Sequence, residues 1–347
     1  MKYSTKYPLY PIKLLKNLKQ SLLLNIGRGL SAFHYLRSRT HPQSLEELRY
    51  DRPISLYIPT YEGTAQAVHP DIVPPGASNP LYVLAFTPYP FSYDQYENPS
   101  ILISQNGIRF QEEQKGLNPL SPPPPIDHND DPDLFYENGS WYLIYLETVR
   151  PSYQRLVLLQ SPDRLRWGRS NLATYHLEGG DPLIVSPSLI RHGNTISLFY
   201  VNRSVSPYRI EYLESNDIHQ WNIHHIQIPQ LEGIGFTPWH LDIFKGARIF
   251  YMLLTSVTSL PGRGRVYDLH IACSTDLKKW TCARRPVFPS KPVHWRSVYR
   301  GTGFCRNGDL FIYYSYETRL RTWRIGLVRK RIKDLFPAVD EEASSCG

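Results

Sequence analysis

The chain has 347 residues, is 13% aromatic with 25 tyrosines, and carries a formal net charge of +8. Nine Lys/Arg against Glu46 and Glu47 put +7 of that charge in residues 1–50, so the remainder is close to neutral and a nucleic-acid face there is excluded. No stretch is long enough to span a bilayer, and no secretory signal is evident.

The apolar run Ser21–Ile26 is short and lacks a small-x-small cleavage site after it, which points to a cytoplasmic protein. Cys273, Cys282, Cys305 and Cys346 show neither metal nor redox spacing.

Residues 1–50 read as a basic, amphipathic helical extension. Between Pro11 and Arg39, Leu/Ile alternate with Lys/Arg at roughly helical spacing, with Ile12, Leu15, Leu18, Leu22, Leu23 and Ile26 on one side. Two readings follow. The helix packs this stripe on the flank of the folded domain with its basic side in water, or residues 11–39 make a weak contact with an anionic membrane surface. Gly27 and Gly29 interrupt the pattern, which favours packing.

Residues 51–336 are all-β in pattern and repetitive. The phrase Ser-x-Asp/Asn-x-x-x-Trp/Phe occurs at Ser104–Phe110, Ser161–Trp167, Ser215–Trp221 and Ser274–Trp280, spaced 57, 54 and 59 residues apart. Ser and Asp close a side-chain-to-backbone turn, and the aromatic restarts a strand. Aromatic or β-branched runs precede each phrase at 81–86, 140–145, 195–200 and 248–254; a fifth run at 310–315 has only a degenerate copy after it, at 329–335. Before each run lies a short segment headed by His69, Asp131, Ser186, His240 or Arg300, spaced 62, 55, 54 and 60 residues apart. Strand, turn and strand at this period predict a five-bladed β-propeller. Residues 337–347 read as a mobile C-terminal tail.

The run Asp131-Pro-Asp-Leu-Phe-Tyr-Glu-Asn-Gly-Ser-Trp-Tyr-Leu-Ile-Tyr145 resembles the second blade of five-bladed glycoside hydrolases of the family 43 type. Thr87–Pro90, Tyr96–Ser100 and Trp239–Asp242 resemble a less characterised branch of that fold, found with bacterial polysaccharide genes and in phages. The likeness covers about residues 65–320. It implies an Asp base heading the first blade, a pKa-tuning Asp on the second and a Glu acid on the third. Here those heads are His69, Asp131 and Ser186, so only Asp131 carries over.

In a propeller the innermost strands line a central channel. Their first residues then form an upper ring of His69, Asp131, Ser186, His240 and Arg300. Residues two further on, which share a face, lie deeper: Asp71, Asp133, Ser188, Asp242 and Thr302. Glycoside hydrolysis needs two carboxyl groups across the scissile bond. Asp131 with Glu97 is the preferred catalytic pair, and Asp242 is the rival for either role. His69, Asp71, His240 and Arg300 are expected to hold hydroxyls or an anionic group of the ligand, while Trp239 and Tyr299 stack on sugar faces. No cofactor is required. No dedicated metal motif is present, although the channel carboxylates suit Ca²⁺.

The expected function is cleavage of a glycosidic bond in a bacterial poly- or oligosaccharide. The alternatives are a glycan-binding propeller without catalysis, supported by Ser186, and a phosphate-dependent phosphorylase or transferase using Arg300, His69 and His240.

Overall fold

The protein is described by a computed structural model over residues 10–177, 181–217, 220–226, 237–260 and 264–336. The expected mobile tail at 337–347 lies outside these residues. Five antiparallel sheets follow one another along the chain.

The first blade is β2 (Ala67–Val73), β3 (Tyr82–Pro88) and β4 (Ser100–Ser104); its fourth position is a single bridge between Ile103 and Gln111. The second is β5 (His128–Glu137), β6 (Ser140–Val149), β7 (Tyr153–Ser161) and β8 (Gly168–His176). The third is β9 (Ile184–His192), β10 (Thr195–Asn202), β11 (Arg209–Asp217) and β12 (Gln220–Ile226). The fourth is β13 (Thr237–Lys245), β14 (Phe250–Leu260), β15 (Gly264–Ser274) and β16 (Thr281–Cys282). The fifth is β17 (Trp295–Arg306), β18 (Asp309–Thr318) and β19 (Trp323–Arg331), with β1 (Ile54–Leu56) outermost.

The missing fifth turn phrase now has its reason. The outer strand of the last blade comes from the N-terminal side, where Ile54, Ser55 and Leu56 pair with Leu327, Gly326 and Ile325, so no hairpin follows β19. The ring is closed inside as well: β2, β5, β9, β13 and β17 each touch the next, and β17 touches β2. Five hydrophobic clusters fill the five seams between blades. Leu45 and Leu48, from the N-terminal extension, are buried in the seam between the fifth and first blades.

The repeated phrase is the hairpin joining the third strand to the fourth position. Asn106 Oδ1 accepts from the N–H groups of Ile108 (3.0 Å) and Arg109 (2.9 Å); Asp276 Oδ1 does the same for Lys278 and Lys279, both at 2.8 Å. Asp163 accepts from Leu165 and Arg166 in the second blade. Gly107, Arg164 and Leu277 occupy one equivalent left-handed position in these turns. The third copy's Asp217 and Trp221 lie outside the residues whose side chains are described.

The extension is helical, as α1 (Tyr10–Ser38), and lies on the outer side of the propeller. Its contact face differs from the expected apolar stripe. Leu24, Gly27, Ser31 and His34 are buried, whereas Leu18, Leu22 and Ile26 are exposed. Gly27 explains the choice of face: a Cβ there would lie 2.9 Å from Thr64 Cγ2 and 3.0 Å from the Phe91 ring, so the backbone approaches the first blade closely. Among the described residues no helix is long and apolar enough to cross a membrane.

Candidate functional site

Each inner strand carries a bulge at its head. The register shifts between Val68 and Asp71, Asp130 and Asp133, Pro238 and His240, and Val298 and Gly301; in the third blade the shift lies opposite Ser186, between Phe199 and Val201. His69, Asp131 and Ser186 take left-handed backbone, with φ of 50°, 50° and 53°. Such conformations cost on the order of 1–3 kcal/mol for a non-glycine residue and cluster at functional sites. Here they turn the head side chains toward the axis.

The structure brings the sequence-predicted residues together in two layers. Asp131 is the hub of the upper one. Its Oδ1 lies 3.5 Å from His69 Nε2, 3.3 Å from His240 Nδ1 and 3.3 Å from an Arg300 guanidinium nitrogen. Its Oδ2 accepts from the Ser186 N–H at 2.8 Å. Glu97 approaches from the segment just before β4, with Oε2 3.4 Å from His69 Nδ1, so Glu97 and Asp131 face opposite nitrogens of one imidazole.

Tyr299 covers this layer. Its ring centroid is 4.4 Å from that of His240 and 5.6 Å from that of His69, and its hydroxyl accepts from Trp239 Nε1 at 2.9 Å.

One step deeper lie Asp71, Asp133 and Asp242, beneath Arg300, whose second nitrogen is 3.8 Å from Asp242. This layer also staples the blades. Asp71 accepts from the Leu134 N–H, Asp133 from Leu189 at 2.9 Å, the Ser188 hydroxyl from Ile243 at 3.1 Å, and the Thr302 hydroxyl from Ile72 at 3.4 Å. In each of these a side chain two residues past one head holds the backbone three residues past the next. Asp71 is further tied to Thr302 at 2.9 Å.

Burial and charge divide the carboxyl groups. Burial alone would raise Asp131, but His240, His69 and Arg300 hold it well below the usual carboxylate range. Burial pushes Glu97 well up; Asp130, Asp131 and Asp94 add to this, and His128 opposes it. Asp133 and Asp242 are also raised by burial and by their carboxylate neighbours. Burial lowers His69 to about 3, so it is a neutral imidazole at pH 7.

Several participants escaped the sequence reading. Ser186, placed in the upper ring but given no partner there, shares a 2.6 Å hydrogen bond with His240 Nδ1. Thr87 does the same for His69 Nδ1 at 3.0 Å. Beside Glu97, His128 is clamped between Asp127 (2.6 Å) and Asp130 (3.1 Å). Against the effect of burial, those carboxylates raise it to about 11, which keeps it charged. The dense polar run Asp127-His-Asn-Asp-Asp131 at a strand start was the signal for this cluster.

The upper layer has the donor set of a metal centre. His69, Asp131 and His240 each offer a ligand atom, all within 4.8 Å of one another and all buried. With Nδ1 of both imidazoles occupied by hydroxyls, both Nε2 atoms are buried without a hydrogen-bond partner. Hydrogen bonds to the second ring nitrogen orient a ligating imidazole, and Thr87 on His69 Nδ1 is placed to do this. Bonds of about 2.0–2.2 Å to a cation bring ligand atoms to roughly 3–3.5 Å from each other, close to the 3.5 Å between Asp131 Oδ1 and His69 Nε2, whereas His240 meets the same oxygen through Nδ1 at 3.3 Å.

No protein-family model matches the chain, and no curated protein matches it in sequence. Solved structures do. An N-acetylgalactosamine deacetylase from F. plautii, in complex with blood group B trisaccharide, aligns with a TM-score of 0.70 at 18% identity over 83% of this chain and 98% of that one. An exo-1,5-α-L-arabinanase from a bovine ruminal metagenomic library aligns at 0.53 and 12% identity, covering 77% of this chain and 93% of the other. A thermostable family-43 glycoside hydrolase aligns at 0.53 and 13% identity, covering 77% and 89%. The chain thus has the five-bladed fold of glycoside hydrolases of the family 43 type, and at these identities the likeness is one of fold.

Proposed function

We propose that the chain is a glycan-processing hydrolase whose reaction centre is the His69–Asp131–His240 cluster facing Glu97, with the cluster holding a divalent transition metal. One observation carries this reading: two buried imidazoles flank a carboxylate held in its ionised form, and among the described residues the Nε2 of each has no hydrogen-bond partner. Metal binding gives those atoms a use, and burying them without one is costly. A metal held by His69, Asp131 and His240 would supply an activated water at neutral pH.

The remaining roles follow from placement. Arg300, with His240 and His69, holds Asp131 as an anion, while Asp242 lies below Arg300 at 3.8 Å. Glu97, whose carboxyl burial pushes well above the usual range, would hand a proton to the leaving atom. Tyr299 and Trp239 offer ring faces to a sugar. The solved deacetylase, bound to a trisaccharide, supports an acyl group on a carbohydrate as the bond attacked. A Ca²⁺ in the channel would belong to the deeper Asp71–Asp133–Asp242 layer, where one Asp242 oxygen lacks a partner.

A second reading is cleavage of a glycosidic bond by Glu97 and Asp131 without a metal. The opposed pKa shifts of these two groups favour it, since an acid and an ionised partner are what glycosidases pair. Metal analysis of the purified protein, with a panel of N-acetylated and free oligosaccharides, separates the two. Bound metal, lost in His69→Ala and His240→Ala, with acetate release that a chelator stops, supports the first. Reducing-end release indifferent to chelator overturns it in favour of the second.

A further inference from the structure

Outside the channel, the most unusual surface is the outer face of α1. Leu18, Leu22, Ile26, Leu30, Phe33 and Leu36 recur at three- and four-residue steps along one side, and Leu22 and Phe33 are 61% and 68% exposed. The opposite side, through Leu24, Gly27, Ser31 and His34, already holds the helix on the propeller. Among the described residues the stripe is therefore not the face that seats the helix on the propeller. Over its length α1 contains Lys13, Lys16, Lys19, Arg28 and Arg37 and no carboxylate.

Beside the stripe, between α1 and the loops of the fifth blade, lies a cavity of about 820 Å³. Arg37, Arg319, Arg324, His34, His41 and His294 are in its wall, and among the described residues no Asp or Glu is. Glu317, next in sequence to the wall, is instead engaged by Arg296 at 2.6 Å and Arg321 at 3.3 Å. His34 is 9% exposed, and its Nδ1 has no hydrogen-bond partner. Burial, with Arg324, His41 and Arg37, lowers its pKa to about 3, so this is a buried neutral imidazole among cations. At the same rim Leu320 stands 76% exposed.

We propose that the outer face of α1 and the fifth-blade loops dock on an anionic lipid bilayer, with the cationic cavity receiving a lipid phosphate. The stripe supplies the apolar area that enters the headgroup boundary, and the lysines and arginines supply attraction to negative lipid. Charge argues against a second copy as the occupant, because two faces would bring together helices that are both cationic and both free of carboxylates. The N-terminal half of α1 lies at the channel-mouth end, where Gln20 reaches the Tyr96 hydroxyl at 3.5 Å, so docking would hold the mouth near the membrane.

The test is sedimentation of the full chain with vesicles of phosphatidylcholine alone, or with about one third phosphatidylglycerol. Binding should be at least about tenfold stronger to the anionic vesicles and should fall when salt rises from about 0.05 to about 0.5 M. Leu22→Glu with Phe33→Glu should abolish it, and Arg319→Ala should weaken it about fivefold. These exposed positions should leave the thermal midpoint unchanged, which shows that the variants are folded. Equal binding to both vesicles, or no effect of the variants, overturns the proposal. So does light scattering that shows a dimer dispersed by Leu22→Glu, or saturation of the cavity by glycerol phosphate with no vesicle binding.

Discussion

At the residue scale, Asp131 shows how one carboxylate becomes a fixed point. Four groups from four different strands address its two oxygens, so it neither swings nor accepts a proton readily. Ser186 is its indirect partner, through its own N–H to Asp131 and its hydroxyl to His240. Ser186→Ala should lower metal affinity about 10–100-fold while leaving the fold intact, measured by competition with a chromophoric chelator. Glu97→Gln should reduce kcat by about 10²–10⁴ with little change in metal content, a split that a purely structural Glu97 would not give.

Protonation also couples to stability, with opposite signs at two neighbours. The unfolded chain protonates His69 near its ordinary 6.5 and the folded chain near about 3, so the unfolded state binds more protons between these limits. Stability is then lost as pH falls below 6.5, by up to about 1.4 kcal/mol per pH unit. Glu97 is raised on folding, so its contribution is complete below its unfolded pKa and is lost as pH rises through the folded one. Urea midpoints across pH should decline less steeply toward acid in His69→Asn, and less steeply toward alkali in Glu97→Gln.

At the element scale, two glycines two residues apart in α1 should respond oppositely to the same change. Gly27→Ala puts a Cβ against Thr64 and Phe91 and should destabilise by about 1–3 kcal/mol. Gly29 has nothing within 4 Å of a built Cβ, and Gly29→Ala should stabilise by about 0.5–1 kcal/mol through helix propensity alone. Calorimetry of the two variants reads this directly. Equal effects would mean that the helix does not rest on the propeller through this face. The periodicity of the extension was legible in the sequence. Which side it presents inward was not, because small residues permit the close approach that a leucine stripe does not, and no hydropathy pattern records that.

At the scale of the whole molecule, the fold rests on closure. Leu56, in the three-residue strand that completes the fifth blade, is fully buried in the seam shared with the first. Leu56→Ala should cost about 2–5 kcal/mol and shift one cooperative transition without splitting it, followed by circular dichroism. A separate early transition would mean that the fifth blade unfolds alone.

The blade count, the turns and the composition of the channel ring were legible in the residues alone, because each depends on local chemistry repeated at a fixed period. The turns at Asn106, Asp163 and Asp276 need only their own neighbours, and the heads His69, Asp131, His240 and Arg300 follow from counting. Tertiary structure decided what those heads do to one another. The bulges that aim them, the hydroxyls of Thr87 and Ser186 on the two imidazoles, and the split between Glu97 and Asp131 arise from groups on separate strands meeting at one axis, where burial makes each charge answerable to all the rest.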